Sequence, residues 1–166
     1  GTVGLGVYKV LQMQKEEMQH KIGTEIKIKK ILVRNLEKAA GKIEDASVLT
    51  DSWQEIVNDD EIQIVIEVMG GMEPARTYIM EAMQAGKQVV TANKDLIAAD
   101  GKELIDQAKK SGCDLLFEAA VAGAIPIIRP LKQCLAGNHL SEIMGIVNGT
   151  TNFILTKTAQ IGRAHV

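Results

Sequence analysis

The chain has 166 residues, of which 46% are hydrophobic and 24% charged, and its formal net charge is −2 at pH 7. This length suits one domain with a core of useful size. The near-neutral charge argues against nucleic acid as a partner, because such binding needs clustered positive charge. Apolar runs fall far short of the roughly 20 residues that cross a bilayer, so we expect a soluble, cytoplasmic protein without membrane attachment.

The chain begins with Gly1-Thr2-Val3-Gly4, in which two glycines are separated by two residues. They match the second half of G-x-G-x-x-G, the turn that joins a strand to a helix and lies against the phosphates of a dinucleotide. We therefore expect the first glycine and the strand before it to be missing from this chain. A glycine-rich helix start, without a cofactor, is the alternative.

Strand-like and helix-like segments then alternate, which is typical of a parallel sheet covered by helices. The predicted strands are residues 26–33, 62–69, 88–91, 115–120 and 142–147. The predicted helices run from the glycine turn to near residue 23 and over 52–58, 74–86, 100–110 and 126–135. The sequence thus predicts an α/β fold, a Rossmann-like doubly wound parallel sheet that lacks its first strand.

The absent strand would be central in such a sheet and bonded on both sides. Without it, we expect an exposed apolar seam, low stability and a tendency to aggregate in the isolated polypeptide. Trp53, Met80 and Met83 are predicted to lie in the core. Cys113 and Cys134 are too few for a disulfide framework and are also predicted to be buried.

Lys94 follows the predicted strand 88–91 and belongs to the turn Thr91-Ala92-Asn93-Lys94. The carboxyl ends of strands in such sheets face the ligand crevice, where a lysine can hold a carboxylate, phosphate or carbonyl oxygen. A solvated lysine in the first turn of a helix is the alternative.

Glu118 ends another predicted strand and precedes a loop of small residues, Val121-Ala122-Gly123-Ala124-Ile125. One carboxylate with accessible backbone carbonyls is a hard-oxygen set that suits a group I or II cation. Alternatively, Glu118 caps the nearby helix or pairs with a lysine.

Asn148-Gly149-Thr150-Thr151 lies between the predicted strand 142–147 and a helix. Amide N–H groups and hydroxyls at a helix start favour an anion such as a substrate carboxylate. An ordinary N-cap is the alternative.

Four motifs in this order resemble the homoserine dehydrogenase family. They are Gly1-Thr2-Val3-Gly4, EVMGGMEP at 67–74, TANKDLIA at 91–98, and the segment 118–128 followed by NGTTNFIL at 148–155. The resemblance extends to about residue 158. It implies a dinucleotide-binding Rossmann domain over 1–120 and the start of a catalytic and substrate domain over 121–160.

The resemblance also implies roles for individual residues. Cofactor-binding positions would be Gly1, Thr2, Val3, Gly4, Arg34, Gly70, Gly71, Thr91, Lys94, Asn148 and Gly149, with Lys94 also at the reacting carbonyl. Gly149 and Thr150 would border the substrate. A structural sodium ion would lie on the Glu118 side chain and the carbonyls of Val121, Gly123 and Ile125.

The implied reaction is hydride transfer between NAD(P)H and L-aspartate 4-semialdehyde, giving L-homoserine for threonine, methionine and isoleucine biosynthesis. A homodimer or homotetramer is implied for the complete protein. The family's general acid/base lysine and acidic substrate-binding residues lie downstream of this segment, so we expect the chain alone to be inactive. A non-catalytic dinucleotide-binding module and another semialdehyde oxidoreductase are the alternative functions.

Arg34 follows the strand 26–33, where enzymes specific for NAD place an acidic residue that accepts bonds from the ribose. Arginine there favours the 2′-phosphate of NADP, with Lys38 as a second cation. A surface ion pair is the alternative, and NAD remains allowed. Residues 161–166 match a translated sequencing adapter and are expected to be a non-native tail.

Overall fold

The computed structural model describes residues 1–161 and contains two compact units. The first comprises Gly1–Phe117, and the second begins at Glu118. Each unit is described by itself.

Helices and short parallel strands alternate along the first unit. The helices are α1 (Thr2–Met13), α2 (Lys15–Ile22), α3 (Leu36–Ala40), α4 (Gln54–Val57), α5 (Ala75–Gln84) and α6 (Lys94–Ser111). The strands are β1 (Ile31–Leu32), β2 (Leu49–Thr50), β3 (Ile64–Glu67), β4 (Gln88–Thr91) and β5 (Leu115–Leu116). A 3-10 turn, Ala46–Val48, precedes β2. The predicted α/β class is confirmed.

The strands form two parallel sheets, one of β1 and β2 and one in the order β3-β4-β5. On one face of the larger sheet, Val89 and Leu115 are buried. On the other face, Ile64, Ile66 and Leu116 are exposed. Among the described residues, neither β1 nor β2 pairs with a strand of the larger sheet.

Three strand predictions need correction. The segment 26–33 forms a strand only at β1, because only these two residues pair with β2, a strand that was not predicted. The segment 115–120 is a strand only at Leu115–Leu116, and Glu118–Ala120 forms a 3-10 turn. The strand predicted over 142–147 is wrong: this segment is exposed and has no regular structure, since no described strand pairs with it.

The ends of α5 and α6 follow the predicted glycine and proline signals. Pro74 directly precedes α5, and Gly86 beyond its end has φ +77°, the left-handed conformation expected of a terminating glycine. Gly112 ends α6 in the same way, with φ +66°. The start of α6 is earlier than predicted, at Lys94, because Asn93 caps it. Two other helix predictions are wrong: the first helix divides at Gln14 into α1 and α2, and the helix predicted over 126–135 is reduced to a π-helical turn at Pro130–Cys134.

The core of the first unit lies between the larger sheet and α5 and α6. Its fully buried side chains include Ile79, Met83, Val89, Leu96 and Leu104. Trp53 is also buried and stacks on Tyr78 with ring centroids 4.4 Å apart. The core positions predicted for Trp53 and Met83 are confirmed, and Met80 packs against them half-buried.

The second unit contains a 3-10 turn at Glu118–Ala120, a π-helical turn at Pro130–Cys134 and α7 (Gly149–Ile161). Between residues 118 and 160 no residue is buried. The buried position predicted for Cys134 is wrong, because only one helical turn forms around it and that turn covers nothing; Cys113 is half-buried. None of the helices in residues 1–161 is long and apolar enough to cross a membrane.

Candidate dinucleotide-binding edge

The carboxyl ends of β3 and β4 lie side by side, with Glu67 paired in register with Thr91. Two connections leave from this edge, one through Gly70 and Gly71 to α5 and one through Asn93 to α6. In parallel α/β sheets this edge is where ligands bind.

Glu67 is the buried polar group at the centre of this edge, only 4% exposed. Its Oε1 accepts hydrogen bonds from the backbone N–H of Met69 at 2.7 Å and of Gly70 at 3.2 Å. Its Oε2 accepts the Thr91 hydroxyl at 2.6 Å. Burial without such bonds would be costly, so these contacts fix the carboxylate in one orientation.

Asn93 connects the two loops. Its backbone N–H donates to Thr91 Oγ1 at 3.0 Å, and its Nδ2 donates to the Gly71 carbonyl at 2.6 Å. Its Oδ1 accepts the N–H of Leu96 at 3.2 Å, which is an N-cap bond that starts α6. The side chain therefore holds the glycine loop against the first turn of that helix.

Lys94 is the first residue of α6, and its side chain is exposed at the same edge. This placement satisfies both interpretations offered by the sequence, since the residue lies at a strand end and in the first turn of a helix. Its ammonium and the helix N-terminus place positive charge at this edge, beside the carboxylates of Glu67 and Asp95.

Gly70 and Gly71 have φ +73° and +77°, a backbone conformation that side chains disfavour. No heavy atom lies within 4 Å of a Cβ added at either glycine. The loop therefore needs glycine for its conformation, and its outer surface is open to a ligand.

The predicted fingerprint glycines lie at the start of α1. Gly1 is the N-cap of this helix, and a Cβ added at Gly4 would be 3.4 Å from Val68 Cγ2. The N-terminus of α1 consequently lies near the carboxyl end of β3, where Val68 follows the strand. Thr2 and Val3 form the exposed first turn, whose N–H groups have no partner within the helix.

Arg34 is separated from the end of β1 by Val33 and is exposed, and Lys38 is exposed on α3. Asn35 caps α3 by accepting the Lys38 N–H at 2.7 Å. No ion pair of either cation is found among the described residues, so the surface ion-pair alternative has no partner there.

In the second unit, Glu118 caps a helical turn. Its Oε1 accepts the N–H groups of Ile127 at 2.5 Å and Ile128 at 2.9 Å, and its Oε2 accepts that of Arg129 at 2.7 Å. These backbone donors, Ile127 first, lower the pKa of Glu118 against a partial desolvation that raises it. The carboxylate thus stays anionic at neutral pH.

Asn148 is an exposed N-cap whose Oδ1 accepts the Thr151 N–H at 2.8 Å at the start of α7. Gly149 and Thr150 occupy the first turn. The local geometry is that of the ordinary cap, and it leaves the first-turn N–H groups open to an anion.

The first unit therefore assembles Gly70, Gly71, Thr91 and Lys94 at one edge, with the start of α1 beside it. Sequence reasoning missed Glu67 and Asn93, although both lie inside quoted motifs. A glutamate ending an apolar strand and an asparagine before a helix were the available signals. Two shallow cavities, of about 210 and 300 Å³, are found elsewhere in this unit, near Lys87 and beside α3.

A parallel sheet with a glycine turn and two helix starts at its carboxyl edge defines the class of a dinucleotide-binding α/β domain. Residues 1–118 match the family model of the homoserine dehydrogenase NAD-binding domain. Residues 126–165 match the family model of homoserine dehydrogenase. The chain belongs to the homoserine dehydrogenase family.

Among similar proteins, homoserine dehydrogenase of Bacillus subtilis is 48% identical over 157 residues, covering 95% of this chain and 36% of that protein. The enzyme of Corynebacterium glutamicum is 44% identical, covering 93% and 35%. This chain therefore spans about a third of the length of these relatives.

Solved structures agree with this assignment. Homoserine dehydrogenase from Thiobacillus denitrificans superposes with a TM-score of 0.84 at 45% identity, covering 98% of this chain and 37% of that one. A hyperthermophilic archaeal homoserine dehydrogenase in complex with NADPH has a TM-score of 0.59 at 29% identity, covering 89% and 41%.

Proposed function

We propose that this chain is the nucleotide-binding part of an enzyme that transfers hydride between NAD(P)H and L-aspartate 4-semialdehyde, giving L-homoserine. The family match over residues 1–118 carries the proposal. The carboxyl edge of β3 and β4 supports it, since helix starts and open glycines there suit a dinucleotide pyrophosphate. The nicotinamide cofactor supplies the hydride chemistry when bound.

The chain's own residues position the reactants. The first turn of α1 and the Gly70-Gly71 loop receive the pyrophosphate, because both present an uncovered backbone. Thr91 lies at the end of β4 on this edge, and Lys94, exposed at the same edge, would lie near the nicotinamide and the reacting carbonyl. Asn148, Gly149 and Thr150 border the substrate through the first turn of α7.

Turnover by the full-length protein tests this function. We expect NADPH oxidation with L-aspartate 4-semialdehyde, and a loss of kcat of about 100-fold in Lys94→Ala, the range of a positioned proton or charge donor. Lys102→Ala is the matched control, because Lys102 is an exposed lysine on the same helix. NADPH binding without oxidation would favour a non-catalytic binding module, and oxidation of another aldehyde alone would favour a different oxidoreductase.

For the cofactor, we propose NADP with NAD as a weaker substitute. Arg34 supports this choice, because it is an exposed cation that follows β1 where an acidic residue would select NAD. Arg34→Ser should raise the KM for NADPH about tenfold and leave that for NADH within about twofold. Equal changes for both cofactors would contradict a 2′-phosphate contact.

A structural sodium ion on Glu118 and the carbonyls of Val121, Gly123 and Ile125 is also proposed. Among the described residues, no hydrogen bond reaches these three carbonyl oxygens. Three N–H donors already occupy Glu118, which leaves about one of the roughly four lone-pair positions of a carboxylate. The donor set therefore fits one weakly held monovalent cation.

The sodium proposal can be tested in the full-length protein by the thermal midpoint in NaCl against choline chloride of equal ionic strength. We expect a higher midpoint in NaCl, and loss of the difference in Glu118→Gln. Glu142→Gln is the control, since Glu142 is an exposed carboxylate of the same unit. Equal midpoints in both salts would contradict the sodium proposal.

For the complete protein we also propose a cytoplasmic homodimer or homotetramer.

A further inference from the structure

A closed ring of hydrogen bonds joins the two loops of the dinucleotide-binding edge. Glu67 bonds to the Thr91 hydroxyl, Thr91 accepts the Asn93 N–H, and Asn93 Nδ2 bonds to the Gly71 carbonyl. The chain then returns through Gly70, whose N–H donates to Glu67. Glu67 and Asn93 each contact both Thr91 of β4 and the glycine loop, and Glu67 is the charged one of the two.

The three side-chain members of the ring are buried, with Glu67 and Asn93 at 4% and Thr91 at 0% exposure, whereas Gly70 and Gly71 are exposed. Among the described ion pairs none includes Glu67, so its contacts in the ring are neutral donors. A buried carboxylate held by neutral donors depends on all of them, because losing one leaves charge unsatisfied in a poorly solvated position.

The ring also determines which backbone groups face outward. The N–H groups of Met69 and Gly70 are directed to Glu67, so they are not available to a pyrophosphate. What the loop presents to a ligand is then the uncovered surface of its two glycines.

We propose that Glu67 is a positioning residue for the dinucleotide: it fixes the Gly70-Gly71 loop relative to Thr91 and the start of α6, so that the pyrophosphate surface and Lys94 are held in one arrangement. It acts through these groups and does not touch the cofactor. This inference rests on the proposed function for the identity of the ligand.

Replacing Glu67 by glutamine keeps the size and reverses one bond. The amide oxygen can still accept from Met69 and Gly70, but the amide nitrogen then donates to Thr91 Oγ1. In Glu67→Gln the Thr91 oxygen would accept two hydrogen bonds, one from the new amide and one from the Asn93 N–H. The Thr91 hydroxyl proton would no longer have a carboxylate acceptor. The direction of the hydrogen bond between residues 67 and 91 is then reversed, and we expect the glycine loop and the start of α6 to move apart.

The test is the Kd for NADPH in the full-length protein, followed by nicotinamide fluorescence, together with steady-state kinetics. We expect Glu67→Gln to weaken NADPH binding at least about tenfold, which equals about 1.4 kcal/mol. The KM for the semialdehyde should change less than about twofold. Glu61→Gln is the matched control, because Glu61 is an exposed carboxylate before the amino end of β3.

A double-mutant cycle separates positioning from a general loss of stability. Thr91→Val removes the hydroxyl that Glu67 accepts, so both changes together should weaken binding about as much as either alone. Thr91→Ser should recover most of the loss seen in Thr91→Val. Additive losses without serine rescue, or unchanged NADPH binding in Glu67→Gln, would overturn the proposal.

The outcomes also distinguish this inference from the proposed function. If the wild-type protein binds NADPH but does not reduce the semialdehyde, the function fails, while the Kd values still decide the role of Glu67. If the wild-type protein turns over and Glu67→Gln binds NADPH normally, the function stands and the positioning role fails.

Discussion

The two units use the same local chemistry in different surroundings. Each has a glutamate that accepts three hydrogen bonds, Glu67 in the first and Glu118 in the second. Each also has an asparagine that caps a helix, Asn93 and Asn148. The first pair is buried, whereas the second lies in a segment without a buried residue over 118–160. The hydrogen bonds of the two pairs are alike, so it is the packing around Glu67 and Asn93 that fixes their positions, whereas Glu118 and Asn148 act only as local caps.

Removal of a core methionine should show the largest difference between the units. Met83 is fully buried, so Met83→Ala should lower the free energy of unfolding by about 2–5 kcal/mol. Met144 is 83% exposed, and Met144→Ala should change it by less than about 0.5 kcal/mol. Equilibrium urea unfolding of the full-length protein measures both free energies, and similar losses in the two variants would contradict this difference in packing.

The second-largest effect on the free energy of unfolding is expected at a buried lysine. Lys87 is 3% exposed, and its Nζ donates to the carbonyls of Asp59 at 2.7 Å and Ile62 at 2.9 Å. Lys87→Met leaves those carbonyls without this donor and should cost about 1–3 kcal/mol in urea unfolding. Lys132→Met, at an exposed lysine of the second unit, should stay within about 0.5 kcal/mol. No loss in Lys87→Met would mean that water replaces the ammonium.

The two asparagine caps sharpen the comparison directly. Asn93→Ala should lower the free energy of unfolding by about 1–2 kcal/mol, because the residue caps α6 and also holds the Gly71 carbonyl. Asn148→Ala removes an exposed cap alone and should cost about 0.5 kcal/mol or less. Urea unfolding gives both values, and a larger loss for Asn148→Ala would reverse the account.

The smallest of the expected effects is the pH dependence of the turn that Glu118 caps. The pKa of Glu118 in the folded state lies below its ordinary value of 4.5. The hydrogen bonds that its carboxylate accepts therefore stabilise the turn above pH 4.5, and this stabilisation is lost as the pH falls through the folded-state pKa. Amide exchange of Ile127, Ile128 and Arg129 should therefore be slow at pH 6 and accelerate, relative to intrinsic exchange, below pH 4.5. The acceleration should be absent in Glu118→Gln, and a pH-independent protection in wild type would contradict it.

The ends of α5 and α6 were readable because their signals are local, whereas α3 and the break between α1 and α2 were not predicted. Glycines with positive φ end α5 and α6, and the spacing of Trp53 and Ile56 places both in the core. The predicted start of α6 at residue 100 is too late, because Asn93 lies in a polar turn and is also a strong helix cap. The cap is visible in the sequence, but its second bond to Gly71 depends on tertiary structure.

Strands and the site were less predictable, since both depend on partners distant in sequence. The apolar segment 142–147 has strand composition but no strand beside it, and β2 has only two paired residues. Glu67 was missed for a related reason: a strand-end glutamate looks like a surface group until Thr91 and the glycine loop are placed around it. Individual sequence motifs located the edge but not its internal bonds.

Hydrogen–deuterium exchange of the full-length protein, with and without NADPH, shows whether the cofactor binds at the carboxyl edge of the sheet. We expect NADPH to slow exchange at residues 1–5, 68–72 and 91–97, and to leave exchange at 60–63 and 86–88, at the opposite edge of the sheet, unchanged. Protection confined to the opposite edge, or none at the carboxyl edge while NADPH is bound, would contradict the assignment of a dinucleotide site to this edge.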